Sequence, residues 1–97
     1  MEITIAKSDR AGKKYQATAS TGKTVHFGAT CDQDYTQHQD PKRRNNYIVR
    51  HGSEDWSRSN IMSPAFMSRW LLWEKPSITA AIANLNRKHK GVKFSLK

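Results

Sequence analysis

Lys14-Tyr15-Gln16-Ala17-Thr18-Ala19-Ser20-Thr21-Gly22-Lys23-Thr24-Val25-His26-Phe27-Gly28-Ala29 is the stretch that decides the fold. From Lys14 to Ser20, Tyr15, Ala17 and Ala19 alternate with Gln16 and Thr18. From Thr24 to Ala29, Val25 and Phe27 alternate with Thr24 and His26. A period of two is the repeat of a strand with one buried face. Ser20-Thr21-Gly22-Lys23 is turn chemistry, and so short a link joins antiparallel neighbours. Upstream, Ile3 and Ile5 alternate with Glu2, Thr4 and Lys7, and Ser8-Asp9-Arg10-Ala11-Gly12 is a second turn. Residues 2–29 therefore predict a three-stranded meander.

Downstream the character changes. Residues 30–40 are polar and read as a loop. Asp40-Pro41 is an N-cap followed by proline at the first helical position, which predicts a helix over 41–51. It places Arg44, Ile48 and His51 along one face with Tyr47 beside them, and Gly52 ends it. Residues 52–62 form a polar connection containing Trp56. Ser63-Pro64 repeats the cap-plus-proline start for a helix over 64–74, with Phe66, Met67, Trp70, Leu71 and Trp73 at helical spacing. Lys75-Pro76 stops it, because proline disfavours helix in the residue before it. Ser77 caps a third helix over 78–89 with Ile78, Ala81, Ile82 and Leu85 on its apolar face. After Gly91, Val92, Phe94 and Leu96 alternate with Lys93, Ser95 and Lys97, a fourth strand. The expected fold is one α+β domain over 1–97: a small antiparallel sheet, made of the meander and the C-terminal strand, with three short helices on one face.

Composition agrees with a small, strongly charged domain. The 97 residues carry 17 Lys and Arg against 8 Asp and Glu, a formal charge of +9. Mean hydropathy is −0.83. Nine aromatic residues, three of them Trp, argue for a packed core and against disorder. No apolar run approaches the roughly 20 residues of a membrane span, so no membrane contact is expected. Residues 1–8 lack the basic-then-apolar order of a signal peptide. The single cysteine, Cys31, rules out an internal disulfide and fits a reducing cytosol.

The chain offers residues for three kinds of chemistry. Structural zinc takes four ligands, commonly in tight pairs, whereas Cys31, His26, His38 and His51 are spread out, so no metal or other cofactor is expected. Cys31 with His26 or His38 is the only thiol–imidazole pairing, on a chain with little room for a substrate pocket; no enzyme activity is expected. Nucleic-acid binding is better supported. From Lys75 onward there are six basic residues and no acid, Arg87, Lys88, Lys90, Lys93 and Lys97 among them. Lys42-Arg43-Arg44 with Arg50 forms a second group. Charge of one sign, clustered, favours phosphate or acidic-protein contact. Trp56, Arg69, Leu72 and Trp73 are candidate anchors for a protein partner, since Trp and Arg dominate interface energetics.

Four elements follow one another in order: Gly22-Lys23-Thr24-Val25-His26-Phe27-Gly28-Ala29; Asp34-Tyr35-Thr36-x-His38-x-Asp40; Arg44-x-x-Tyr47-Ile48-x-Arg50-His51, with Trp56 after it; and Ser68-Arg69-Trp70-Leu71-Leu72-Trp73-x-Lys75-Pro76-Ser77. This series resembles a family of small virus-encoded proteins of tailed phages and of large double-stranded DNA viruses. The chain departs from that pattern at Cys31-Asp32 and at Ser63-Pro64-Ala65. The resemblance implies a viral protein made in the host cytoplasm and resident in the virion. The first reading is a non-enzymatic structural component docking on capsid, portal or tail proteins, in many copies. The alternative is an accessory protein that binds nucleic acid, or inhibits a host protein, during infection. Asp34, His38, Arg44, Arg50, His51 and Arg69 are expected to form a polar network that stiffens the domain.

Overall fold

The computed structural model describes residues 1–97. Strands β1 (Glu2–Lys7), β2 (Lys13–Ala19) and β3 (Thr24–Ala29) form the expected antiparallel meander. Ile3 lies opposite Ala19, Ile5 opposite Ala17, and Tyr15 opposite Phe27, so the apolar residues share one face. The last strand, β4 (Lys93–Leu96), joins the far side of β1 and gives the order β3-β2-β1-β4. Here the expectation of an antiparallel sheet is corrected, because β4 runs parallel to β1, with Ile3 beside Phe94. A parallel neighbour requires a crossover, and the whole helical half of the chain serves as one. The result is α+β with a mixed sheet.

The helical half differs from the expectation in two places. The first is the polar stretch 30–40, which contains a one-turn helix, α1 (Tyr35–His38). Asp34 caps it by accepting from the Thr36 N–H, while the Gln37 side chain accepts from the Asp34 N–H in return. Next, α2 (Pro41–Arg50) starts at the expected cap, Asp40 Oδ1 accepting from the Lys42 N–H at 3.0 Å. A short 3₁₀ turn follows at Arg58–Asn60.

The second difference decides the chemistry of the Trp segment. The expected helix 64–74 is α-helical only over α3 (Pro64–Met67), and Ser68–Leu72 is π-helical. A π turn holds one residue more than an α turn. Each residue after it takes the place its predecessor would have had. Leu72 thus moves into the core position and is 1% exposed. Trp73 is carried off the core stripe to the flank.

Helix α4 (Ile78–Lys88), capped by Ser77, lays Ala81, Ile82 and Leu85 on the sheet. These join Ile3, Ile5, Ala17, Phe27, Phe66, Met67, Leu71, Leu72 and Phe94 in one core. Ala17 and Ala19, both on β2, are small and buried in this core. Asn86 of α4 holds the outer edge of β4. Its carboxamide accepts from the Phe94 N–H at 2.7 Å and donates to the Phe94 carbonyl at 3.0 Å. No helix is long and apolar enough to cross a membrane.

Gly28 shows how tightly the two layers fit. Its φ is +79°, and a Cβ there would lie 2.8 Å from Leu72 Cδ1 and 3.3 Å from Lys14 Cβ. Leu72 is buried and has nowhere to retreat. Gly28→Ala should therefore lower the stability measured by urea unfolding by about 2–3 kcal/mol. Gly12→Ala, at a similar φ of +83° but with open space around it, should cost about 1 kcal/mol. Equal losses at the two sites would refute the packing account.

Candidate functional site

The six residues expected to form one polar network fall into separate clusters. Lys14 Nζ donates to Asp34 Oδ2 at 2.7 Å and to Gln37 Oε1 at 2.6 Å, which ties α1 to the sheet. Arg44 and Arg69 share the Glu74 carboxylate, with contacts of 2.5 and 2.9 Å to Oε1. Arg44 Nε also donates to the Trp73 carbonyl at 2.8 Å. His51 contacts Glu54 at 3.0 Å, and Trp56 Nε1 donates to the same carboxyl at 3.2 Å. Arg50 belongs to none of these; it is exposed and makes no hydrogen bond to another side chain. Lys14, Glu54 and Glu74 are the members that sequence reasoning missed. A charge count carried the signal, because three arginines and two histidines were assigned a single acid.

What connects the clusters is a file of rings. His51 stacks on Tyr47 with centroids 4.3 Å apart, and Tyr47 stacks on Trp73 at 4.3 Å with planes 3° from parallel. His38 closes the far side of Trp73 at 5.3 Å. Tyr47 is the one buried residue of α2. Burial, with the Glu54 charge adding to it, pushes its phenol up to about 12.

The expected partner anchors are engaged inside the protein. Arg69 is buried, its guanidinium 4.5 Å from the Trp70 ring centroid and 5.2 Å from that of Trp56. Leu72 is in the core for the π-helical reason given above. Trp56 and Trp73 are half-buried, Trp56 under Arg69 and Trp73 against Tyr47. Arg69 and Leu72 are therefore corrected from surface anchors to interior residues. His26 and Cys31 stand apart from the ring stack: His26 on β3 bonds Ser8, just past β1, at 2.7 Å, and Cys31 is exposed.

Two surface features remain. One is a cleft of about 550 Å³ between α2, the end of β3 and the α3–π segment. Lys14, Asp34, Arg43, Tyr47, Arg50 and Trp73 are among its lining residues. The other is a basic pole where α4 meets β4. Arg87, Lys88, Lys90 and Lys93 are exposed there. Arg58 joins them by donating to the Lys90 carbonyl at 2.9 Å, and the Met1 amine donates to the Gly91 carbonyl at 3.0 Å. Arg58 was invisible to the sequence reading because it is distant along the chain. Lys88 Nζ lies 4.4 Å from the Trp70 centroid. Lys97 stands at the far end of β4, beyond Ile5. Lys42 and Arg43 stand elsewhere, on the first turn of α2. Gln39, just before that turn, bonds the Pro76 carbonyl ahead of the start of α4, about 15 Å along that helix from Lys88. The basic residues thus make two surfaces.

Burial would raise the Glu74 carboxyl, but hydrogen bonds from Arg69 and Arg44 overcome it and hold the group below its usual range. Glu74→Gln would leave the buried Arg69 charge without a counterion and should cost about 2–3 kcal/mol in urea unfolding. An unchanged midpoint would show that the shared carboxylate is dispensable.

His38 Nδ1 accepts from the Asp40 N–H at 2.9 Å, so its proton sits on Nε2, which is buried without a partner. Burial, then the Arg43 charge, lowers this histidine below 6.5; burial, then Arg58 and Lys88, lowers His89 likewise. The unfolded chain takes up these protons at the ordinary value and the folded chain only at lower pH. Stability is therefore complete above 6.5 and falls as pH drops from there toward the lowered folded values. Urea midpoints should decline between about pH 7 and about pH 5.5. His38→Asn, which keeps an acceptor for Asp40 but cannot titrate, should flatten part of that decline. An unaltered slope would exclude His38 as a contributor.

Comparison with known proteins gives one match. No curated protein and no solved structure matches the chain. A family model described as "Family of unknown function (DUF5754)" matches residues 3–51, which takes in β1 to β3, α1 and the whole of α2. The chain belongs to this family, and the match ends on His51, the outer ring of the stack that seats α2 against the Trp segment.

Proposed function

We propose that this chain is a non-enzymatic viral protein, a component of the particle, that contacts packaged nucleic acid through its basic pole. The pole is the observation that carries the reading. Arg58, Arg87, Lys88, Lys90 and Lys93 are exposed, and no salt bridge engages any of them. The neighbouring acid is Glu2, opposite Lys93 in the sheet. Arg87 and Lys88 lie in the last turn of α4, where the helix dipole favours cations and holds them in place. Phosphates that replace counterions along such a surface supply affinity without reading base sequence. The viral setting comes from the ordered motifs from Gly22 to Ser77.

The pole sets a quantitative expectation. Engagement of five cations by duplex DNA gives a slope of about −4.5 in log K against log salt, and each Lys→Gln at Lys88, Lys90 or Lys93 removes about 0.9. Lys42→Gln, on the other surface, should leave the slope unchanged. Gel shifts at several salt concentrations measure this, and mass spectrometry of purified particles tests the location. Salt-independent binding, or no binding, would overturn the nucleic-acid contact. Absence from particles would overturn the structural role.

A further inference from the structure

We propose that Arg58, Lys88 and His89 form one phosphate-binding site at the turn from α4 to β4, where a nucleic-acid backbone is held at a fixed point. This deepens the nucleic-acid reading and rests on it. The basic pole supplies general attraction, and these three side chains supply a seat for a single phosphodiester.

Two elements bring the groups together. Arg58 comes from the 3₁₀ turn, Lys88 from the last turn of α4, and His89 caps that helix. Each of the two cations rests on a neutral partner. Arg58 Nη2 donates to the carbonyl of Lys90, the residue after His89, at 2.9 Å. The Lys88 ammonium lies 4.4 Å from the Trp70 ring centroid. A carbonyl and a ring hold a cation in place without cancelling its charge. No salt bridge engages either side chain. The other guanidinium N–H groups are left for the oxygens of a phosphate. His89 is held as well, its ring edge-on to Phe66 with centroids 5.7 Å apart. The Phe66 ring also meets Trp70, at 6.4 Å, so His89 and the ring under Lys88 share one floor.

The imidazole is a polar group that the fold leaves unused. Neither ring nitrogen of His89 is shut away from solvent, and neither is bonded within the chain. The charged groups around it are cations. They are Arg58 from the 3₁₀ turn, Arg87 and Lys88 from α4, Lys90 from the turn, and the Met1 amine on the Gly91 carbonyl. From α3 it meets Phe66, which carries no charge. The acid on the neighbouring strand, Glu2, lies opposite Lys93. Partial burial, then the Arg58 and Lys88 charges, hold the free ring below its ordinary value of 6.5 and so neutral near neutral pH. A phosphate seated between the two cations reverses this balance. It screens their repulsion and favours the protonated ring, which then donates to it as a third cation. Binding at this site therefore takes up a proton. The other histidines are engaged elsewhere: His26 with Ser8, His38 against Trp73 and His51 with Glu54.

The test measures duplex DNA binding to the full chain by fluorescence anisotropy, at fixed salt, from about pH 8 to about pH 5.5, with circular dichroism checking the fold at each pH. Affinity should rise about tenfold toward the acid end, as pH falls from the bound His89 value toward the lowered free one. His89→Gln keeps a hydrogen-bonding side chain but cannot titrate. It should bind like the parent at about pH 8 and lose most of the acid gain. Arg58→Gln should weaken binding about fivefold at every pH, and Lys42→Gln should change nothing. Proton NMR of the unaltered chain should show the His89 midpoint moving up when DNA is added, a readout that needs no variant to fold. Salt-dependent binding with a flat pH profile and an unmoved His89 midpoint would overturn the site and leave the basic pole standing. No binding at any pH would overturn both. The same movement with inorganic phosphate, at the phosphate concentration of the DNA, would overturn the assignment to a nucleic-acid backbone.

Discussion

Helix α2 depends on one carboxylate and one pair of stacked rings. It buries a single side chain, Tyr47, and a ten-residue helix with so little buried area cannot hold itself against the domain by the hydrophobic effect. The Tyr47–Trp73 stack positions it, and Glu74 clamps Arg44 of α2 together with Arg69 of the π-helical segment. Both contacts require Trp73 and Glu74 to stand on the flank of the Trp segment. The π turn puts them there. Without its extra residue, Trp73 would fall in the core stripe beside Phe66, α2 would lose its seat, and the cleft would lose a wall.

Much of this was legible in the residues, for clear physical reasons. Strands with one wet face alternate, so Ile3, Ile5, Ala17, Phe27 and Phe94 announced the sheet. Asp40-Pro41, Ser63-Pro64 and Ser77 announced three helix starts, because a cap is a local hydrogen bond. The one-turn helix at Tyr35 carried its own reciprocal cap, Asp34 with Gln37, three residues apart in a polar stretch that otherwise reads as loop. The π segment was not legible. Ser68 to Leu72 fits an α repeat as well as any run of large side chains, and the choice between the two is made by packing. The direction of β4 was hidden too, since alternation is the same in parallel and antiparallel strands.

The candidate site was less legible than the fold, because ion pairing joins residues far apart in sequence. Lys14 and Asp34 are 20 residues apart, and Arg44 and Glu74 are 30. Clustering by sequence put Lys42 and Arg43 in a group apart from Lys90 and Lys93, and the fold likewise places them on different surfaces. It hid Arg58, however, which reaches the Lys90 carbonyl across 32 residues. Two of the eight acids, Asp34 and Glu74, are spent on the interior or half-buried cations Lys14, Arg44 and Arg69.

The Asn86 carboxamide on Phe94 has a consequence for crowding. A sheet has two rims, and a strand on either rim can recruit a strand from a neighbouring molecule. Here Asn86 occupies the outward-facing N–H and carbonyl of Phe94, and the short β4 leaves only Leu96 facing out beyond it. The rim at β3 has no such cover. A unit with one open rim can pair once and then stop, whereas linear growth requires two. A protein concentrated in many copies would therefore stay clear of fibrous self-assembly through its sheet, at the cost of one asparagine.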